Sequence, residues 1–137
     1  MNDLGSYLHN LTVREVMSPG VLTIVEDASM HQAFRALSHH RTHAILVLGR
    51  DQGRPLGWVT SRGLLGWLDC DPGLAPLREA ITEQPVTISP AADAYEAWMA
   101  LAKVGVSHLL VTLHEDHLPE GVVADLDLLR VAAEPGG

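Results

Sequence analysis

A single offset organises the whole chain. Arg14-Glu15 returns as Arg78-Glu79, Thr23-Ile24 as Thr87-Ile88, Leu46-Val47 as Leu110-Val111 and Gly57 as Gly121, each 64 positions later and without a gap. With Ala28, Ala33, Ala36, Leu37, Pro55, Val59, Leu64 and Leu65 and their counterparts, residues 14–65 and 78–129 share 15 identities in 52 positions. Average residue usage would give about four. Many other pairs are conservative, such as Phe34/Trp98 and Ile45/Leu109. The chain therefore encodes one unit twice. A period of 64 is too long for common helical solenoids, and two copies cannot form an extended array. The expected product is two similar halves packed face to face around a pseudo-twofold axis.

Composition narrows the function classes. The 137 residues suit one conventional domain or two small halves sharing a core. Cys70 is the lone cysteine, which excludes an internal disulfide and a cysteine-based zinc cluster. No apolar run nears the roughly 20 residues that span a bilayer, so no membrane partner is expected. Residues 1–10 are mixed and polar rather than a secretion signal, so a cytoplasmic location is expected. Nine Lys and Arg against seventeen Asp and Glu give a net charge of −8. That argues against nucleic acid as a partner, because a polyanion needs a basic face. An anionic ligand would need a local positive patch.

Each copy reads as β-α-β-β-α, an α/β class of fold. The β-branched run 21–25 and its copy 86–88 predict a first strand. Met30, Ala33, Phe34 and Leu37, like Ala94, Ala97, Trp98 and Leu101, have the i, i+3, i+4, i+7 spacing of one apolar helix face. Ser29 and Asp93 stand where helix N-caps are expected. The continuous apolar runs 44–48 and 108–113 predict strands buried on both faces. Strands at 58–60 and 122–124 follow Gly57 and Gly121, where a close backbone approach is expected. Second helices, about 64–68 and 126–131, complete the copies. Asp71-Pro72-Gly73 marks a linker turn, and 134–137 a frayed end. The copies are bounded at 11–70 and 75–133, with 1–10 and 134–137 as terminal segments.

This doubled order resembles a tandem pair of CBS domains, a Bateman module. The residues that carry the resemblance are Val13-Arg14-Glu15-Val16-Met17, Thr23-Ile24 and Gly105 through Val111. Gly57-Trp58-Val59-Thr60 and the stretch from Gly121 to Asp127 complete it. The resemblance implies a regulatory role. It implies AMP, ADP, ATP or a related adenosine ligand in two clefts between the halves, and assembly into a flat homodimer. With no further domain in the sequence, a sensor of this kind would signal to a separate effector protein.

The family's ligand motif is Gly-h-h-[Ser/Thr]-x-x-Asp, with h apolar. Its hydroxyl faces a phosphate and its carboxylate accepts both ribose hydroxyls. This chain splits the motif: the first copy has Thr60 but Gly63, and the second has Asp127 but Ala124. Basic residues precede the central strand only in the first copy, as His40-Arg41 against Val104-Gly105. The resemblance thus implies two unlike clefts. The first would combine His40, Arg41 and Thr60 with Thr87, Val106 and Ser107, giving a cation without the ribose carboxylate. The second would combine Asp127 with Thr23, Thr42 and His43, giving the carboxylate without the cation. Losing one such anchor weakens binding by roughly 2–4 kcal/mol.

Plainer roles compete. His40 and Arg41 suit a helix C-terminus, Thr60 suits an N-cap, and Asp127 suits a first helical turn. Thr87 and Ser107 suit a strand edge. A ligand-free dimerisation module is the alternative to a sensor. A histidine-bound metal protein, using His39 and His43 or the run His114-Glu115-Asp116-His117, is the third reading. Trp98 is expected to pack in a core or interface, and Trp67 to offer a dimer surface on the second helix. Nothing around Cys70 activates a thiol, and neither a P-loop nor a nucleophile elbow occurs, so no enzyme is expected.

Overall fold

The computed structural model describes residues 4–69, 75–113 and 119–134. Cys70, the turn Asp71-Pro72-Gly73 and the run His114 to His117 lie outside the described residues. In chain order the elements are α1 (Leu4–His9), α2 (Val13–Val16), β1 (Ser18–Pro19), β2 (Thr23–Val25), α3 (Met30–His40), β3 (Ala44–Leu48), β4 (Pro55–Thr60) and α4 (Ser61–Leu65). A 3₁₀ turn (Leu77–Ala80) follows, then β5 (Thr87–Ile88), α5 (Ala94–Val104), β6 (His108–Val111), β7 (Gly121–Ala124) and α6 (Asp125–Ala133).

The chain forms two compact units, and neither coincides with a repeat. One is the continuous stretch Leu22–Pro85; the other joins 1–21 to 86–137. Each unit therefore contains the body of one repeat and the leader of the other. Sequence pattern alone did not announce this exchange.

In the continuous unit the described strands run β2-β3-β4, with β2 parallel and β4 antiparallel to β3. In the two-piece unit they run β1-β7-β6-β5, with β5 parallel to β6 and β7 antiparallel to both β6 and β1. Ala44 pairs with Thr60 and Leu46 with Trp58, and 64 residues on His108 pairs with Ala124 and Leu110 with Val122. The duplication thus extends to strand register. On β3 all four residues from Ala44 to Val47 are buried, as the unbroken apolar run requires.

The cores match position for position. In the continuous unit Leu77 and Ala80 of the leader pack with Met30, Ala33, Leu37, Ile45, Val47, Val59 and Leu64. In the other unit Val13 and Val16 pack with Ala94, Ala97, Leu101, Leu109, Val111, Val123 and Leu128. The second cluster adds Leu8, because α1, expected only as a terminal segment, docks on α5. Trp67 is not an exposed surface of a second helix. Helix α4 ends at Leu65, and Trp67 packs against the core of its own unit. Trp98 stays 45% exposed on α5.

The glycines of β4 and β7, Gly57 and Gly121, lie within the strands they were expected to precede and explain how each leader is seated. A Cβ on Gly57 would overlap Ile81 Cγ2 and stand 2.7 Å from the Glu83 carbonyl oxygen. A Cβ on Gly121 would overlap the Ser18 carbonyl oxygen and stand 2.9 Å from Met17 Sδ. Leader residues 81–83 and 17–18 occupy the volume that any side chain would need. Main-chain bonds hold them there: Trp58 N–H donates to Glu83 (2.9 Å) and Thr82 N–H to Trp58 (3.0 Å). The repeated arginine of each leader reaches the body it joins, Arg14 to Glu120 at 2.9 Å and Arg78 to Glu26 at 3.8 Å. These exposed pairs contribute little by themselves.

The expected caps are in place. Ser29 forms a capping box with Gln32, through Gln32 N–H to Ser29 Oγ (3.1 Å) and Ser29 N–H to Gln32 Oε1 (2.8 Å). Asp93 Oδ1 accepts the Glu96 N–H at 2.8 Å, and its Oδ2 lies 3.0 Å from His9 Nδ1. The Glu96 N–H, and then His9, hold the Asp93 carboxyl below its ordinary value of 3.8. A depressed carboxyl stabilises the fold above the unfolded pKa, and the benefit is lost as pH falls through the folded one. Thermal midpoints followed from pH 7 down to pH 3 should therefore fall less steeply for Asp93→Asn than for the wild type below about pH 4. Parallel slopes would refute this role.

Candidate functional site

The loop after α3 gathers most of the residues expected to meet an anion. Arg41 caps α3 in the left-handed conformation, φ 52° and ψ 41°, and its N–H bonds the Leu37 and Ser38 carbonyls. The matching residue 64 positions on is Gly105, at φ 82°. A left-handed residue with a Cβ costs about 1–2 kcal/mol relative to glycine. The first copy thus carries an arginine where the fold favours glycine. The Arg41 side chain is exposed, and its guanidinium makes no ion pair or hydrogen bond with any described residue. His40 is exposed beside it, its ring edge-on to His39 at 5.1 Å.

Arg41, Thr42 and His43 line one cavity of about 490 Å³ together with Ser61. Ser61 N–H donates to the His43 carbonyl at 2.8 Å, and Ser61 Oγ lies 3.5 Å from His43 Nδ1. Residues divided between two clefts by the sequence reading, Arg41 on one side and Thr42 and His43 on the other, therefore share a wall. Ser61 was not singled out; its place directly after Thr60 was the available signal. Apart from Ser38, the rest of the lining is apolar: Phe34 and Leu37 from α3, Leu64 and Leu65 from α4, and Leu68 beyond it.

The two halves of the split motif hold structural positions. Thr60 is the N-cap of α4, its hydroxyl accepting the Gly63 N–H at 3.0 Å. A Cβ on Gly63 would lie 3.1 Å from both Thr60 Oγ1 and Thr82 Cγ2, which is tight. Asp127 is 3% exposed. Its Oδ2 accepts the Ala124 N–H at 2.8 Å, its Oδ1 accepts the Ser18 hydroxyl at 2.9 Å, and Arg130 stands 3.4 Å away. Ala124 cannot cap α6 with a side chain, so the carboxylate at the third helical position ties down the helix start instead. Ser18 and Arg130 were not identified from the sequence; Ser18 lies 109 residues from its partner.

The remaining expected residues stand on strands, against the core or just before β6. Thr23 is exposed on β2 and pairs with Leu46; Thr87 is exposed on β5 and pairs with Leu110. Val106 packs against the core of its unit, and the Ser107 carbonyl accepts the Asp125 N–H at 3.3 Å. Among the described residues no group of three or more His, Cys, Asp or Glu is placed to hold a metal ion, and no helix is long and apolar enough to cross a membrane.

Comparison with known proteins adds the following. The family model described as CBS domain matches twice, at residues 13–69 and 77–134. A curated relative, the A-adding tRNA nucleotidyltransferase of Aquifex aeolicus, is 29% identical over 124 residues. The match covers 90% of this chain but only 15% of that protein's length. The solved CBS domain of a bacterial CNNM/CorC family Mg2+ transporter in complex with ATP superposes with a TM-score of 0.81 at 19% identity, covering 95% of this chain and 92% of that one. A CBS domain protein from Pyrobaculum aerophilum complexed with AMP gives 0.74 at 18% identity, covering 90% and 98%. At these identities the solved structures speak for the fold.

Proposed function

The chain belongs to the CBS domain family, in tandem, and from that premise we propose that it is a regulatory module sensing a phosphorylated adenosine ligand such as AMP, ADP or ATP. Its phosphate is held at the loop 40–43. The observation that carries this reading is Arg41. A cation with no ion pair or hydrogen bond among the described residues, held in a left-handed conformation where the sister position is glycine, is a costly choice of residue at this position. It concentrates positive charge in a chain of net charge −8. His40 and His43 flank it, and the Thr42 and Ser61 hydroxyls lie within the same wall. The AMP- and ATP-bound relatives support the ligand class. The module acts as a homodimer in the cytoplasm, and binding shifts it between two arrangements that a separate effector protein distinguishes.

A ligand-free interaction module is the second reading. It is favoured by Thr60 and Asp127, whose oxygens already serve the ends of α4 and α6.

Arg41→Gly separates the two. Without nucleotide, the variant should melt higher than the wild type, reflecting relief of roughly 1 kcal/mol of backbone strain. With AMP or ATP, the wild-type midpoint should rise by mass action, whereas the variant should lose that response. Wild-type protein indifferent to all three nucleotides in both thermal shift and calorimetry would sink the sensor reading. So would an Arg41→Gly variant that responds like the wild type.

A further inference from the structure

The polar and apolar linings of the cavity beside the anion loop are separated along the two helices that form it. The Ser61 N–H bond to the His43 carbonyl ties the start of α4 to the loop after α3, so Arg41, Thr42, His43 and Ser61 gather at one end. Traced backwards from there, α3 lines the cavity with Ser38, Leu37 and Phe34; traced forwards, α4 and the residues beyond it add only leucines. At 1.5 Å per residue, the stretch from Arg41 back to Phe34 spans about 10 Å, or about eight bonds of a fully extended chain.

Two of those leucines, Leu65 and Leu68, are 61% and 62% exposed, so the apolar wall is open to solvent. No acidic residue lines the cavity. An apolar wall with a few convergent polar groups at one end is the usual form of a small-molecule site. The other repeat supplies a contrast. At the positions 64 residues on, Leu37, Leu64 and Leu65 are again leucine, but Arg41, His43 and Ser61 give way to Gly105, Ser107 and Asp125. The apolar character occurs twice and the cationic end once.

We infer that the α3–α4 cavity binds an anionic amphiphile: a single medium-length acyl chain along the leucines, with its carboxylate at Arg41, Thr42, His43 and Ser61. The guanidinium and the two hydroxyls donate to the carboxylate, and the chain covers Leu65 and Leu68. A hydrocarbon without the head would leave the cation unmatched, and a short anion would leave the leucines in water. This ligand is separate from the proposed nucleotide, which offers no such chain, although both would use Arg41.

Isothermal titration calorimetry of the full chain with hexanoate, heptanoate and octanoate tests the site. One carboxylate should bind per chain, about fourfold more tightly for each added methylene, the equivalent of ~0.8 kcal/mol. Octanoate should bind about tenfold or more tightly than 1-octanol. Arg41→Gly should abolish that preference. Leu65→Gln with Leu68→Gln, at exposed positions, should flatten the gain with chain length while melting like the wild type. Leu129→Gln in the other unit should change neither. No binding of any carboxylate, affinity independent of chain length, or a preference for octanoate that survives Arg41→Gly would overturn the assignment. A protein that answers AMP but not octanoate loses the amphiphile site alone, and one that answers octanoate but no nucleotide loses the nucleotide reading alone.

Discussion

Gly57→Ala should destabilise the protein by about 3 kcal/mol, a large effect for a single methyl group. The methyl would overlap Ile81 and press on the Glu83 carbonyl. The segment 81–83 cannot retreat without breaking its two main-chain bonds to Trp58, which is 2% exposed. Retreat would also disturb Leu77 and Ala80, the leader's contribution to the core. Gly66→Ala is the matched control. Gly66 has φ −70°, and its added Cβ would find its nearest neighbour at 3.6 Å, so the change should be neutral or slightly stabilising. Urea midpoints at unchanged slope give both values. A Gly57→Ala midpoint equal to the wild type would mean that the leader does not lie on this glycine.

Asp127→Ala should cost about 2–3 kcal/mol, because removing a buried acceptor leaves its donors without partners. The Ala124 N–H would be left at the start of α6 and the Ser18 hydroxyl on the leader strand. Ser18→Ala alone should cost about 1 kcal/mol. The double variant should cost less than the sum, since both substitutions break one contact. Melting with and without AMP distinguishes a packing role from ribose contact. A lower basal midpoint with the AMP-induced shift retained fits packing. An unchanged basal midpoint would show that the carboxylate does not secure the helix.

Much of the architecture was legible because the duplication is gapless. One offset aligned strands, helix faces and caps, and it also aligned residues that later proved equivalent in register and burial. What stayed hidden was which body each leader joins. Val13 and Val16 look like any short apolar pair, and a segment's destination across the chain leaves no mark in local periodicity. The glycines at 57 and 121 hinted at a close approach without naming what approaches. At the site, the cationic character of His40-Arg41 was readable, and so was the split motif. Aligning Arg41 with Gly105 could have exposed its left-handed backbone too. The engagement of Asp127 could not be foreseen, since Ser18 meets it only through the exchanged leader.

That exchange also orders events during synthesis. The strands of one sheet and the residues of one core cluster all fall within the stretch 22–85, which can assemble them while the ribosome is still making the second repeat. Residues 4–21 wait for α5, on which α1 docks, and then for β7, with which β1 pairs, about a hundred residues later. Val13 and Val16 spend that interval outside their core, and the leader they belong to finds its native contacts later than the unit made after it.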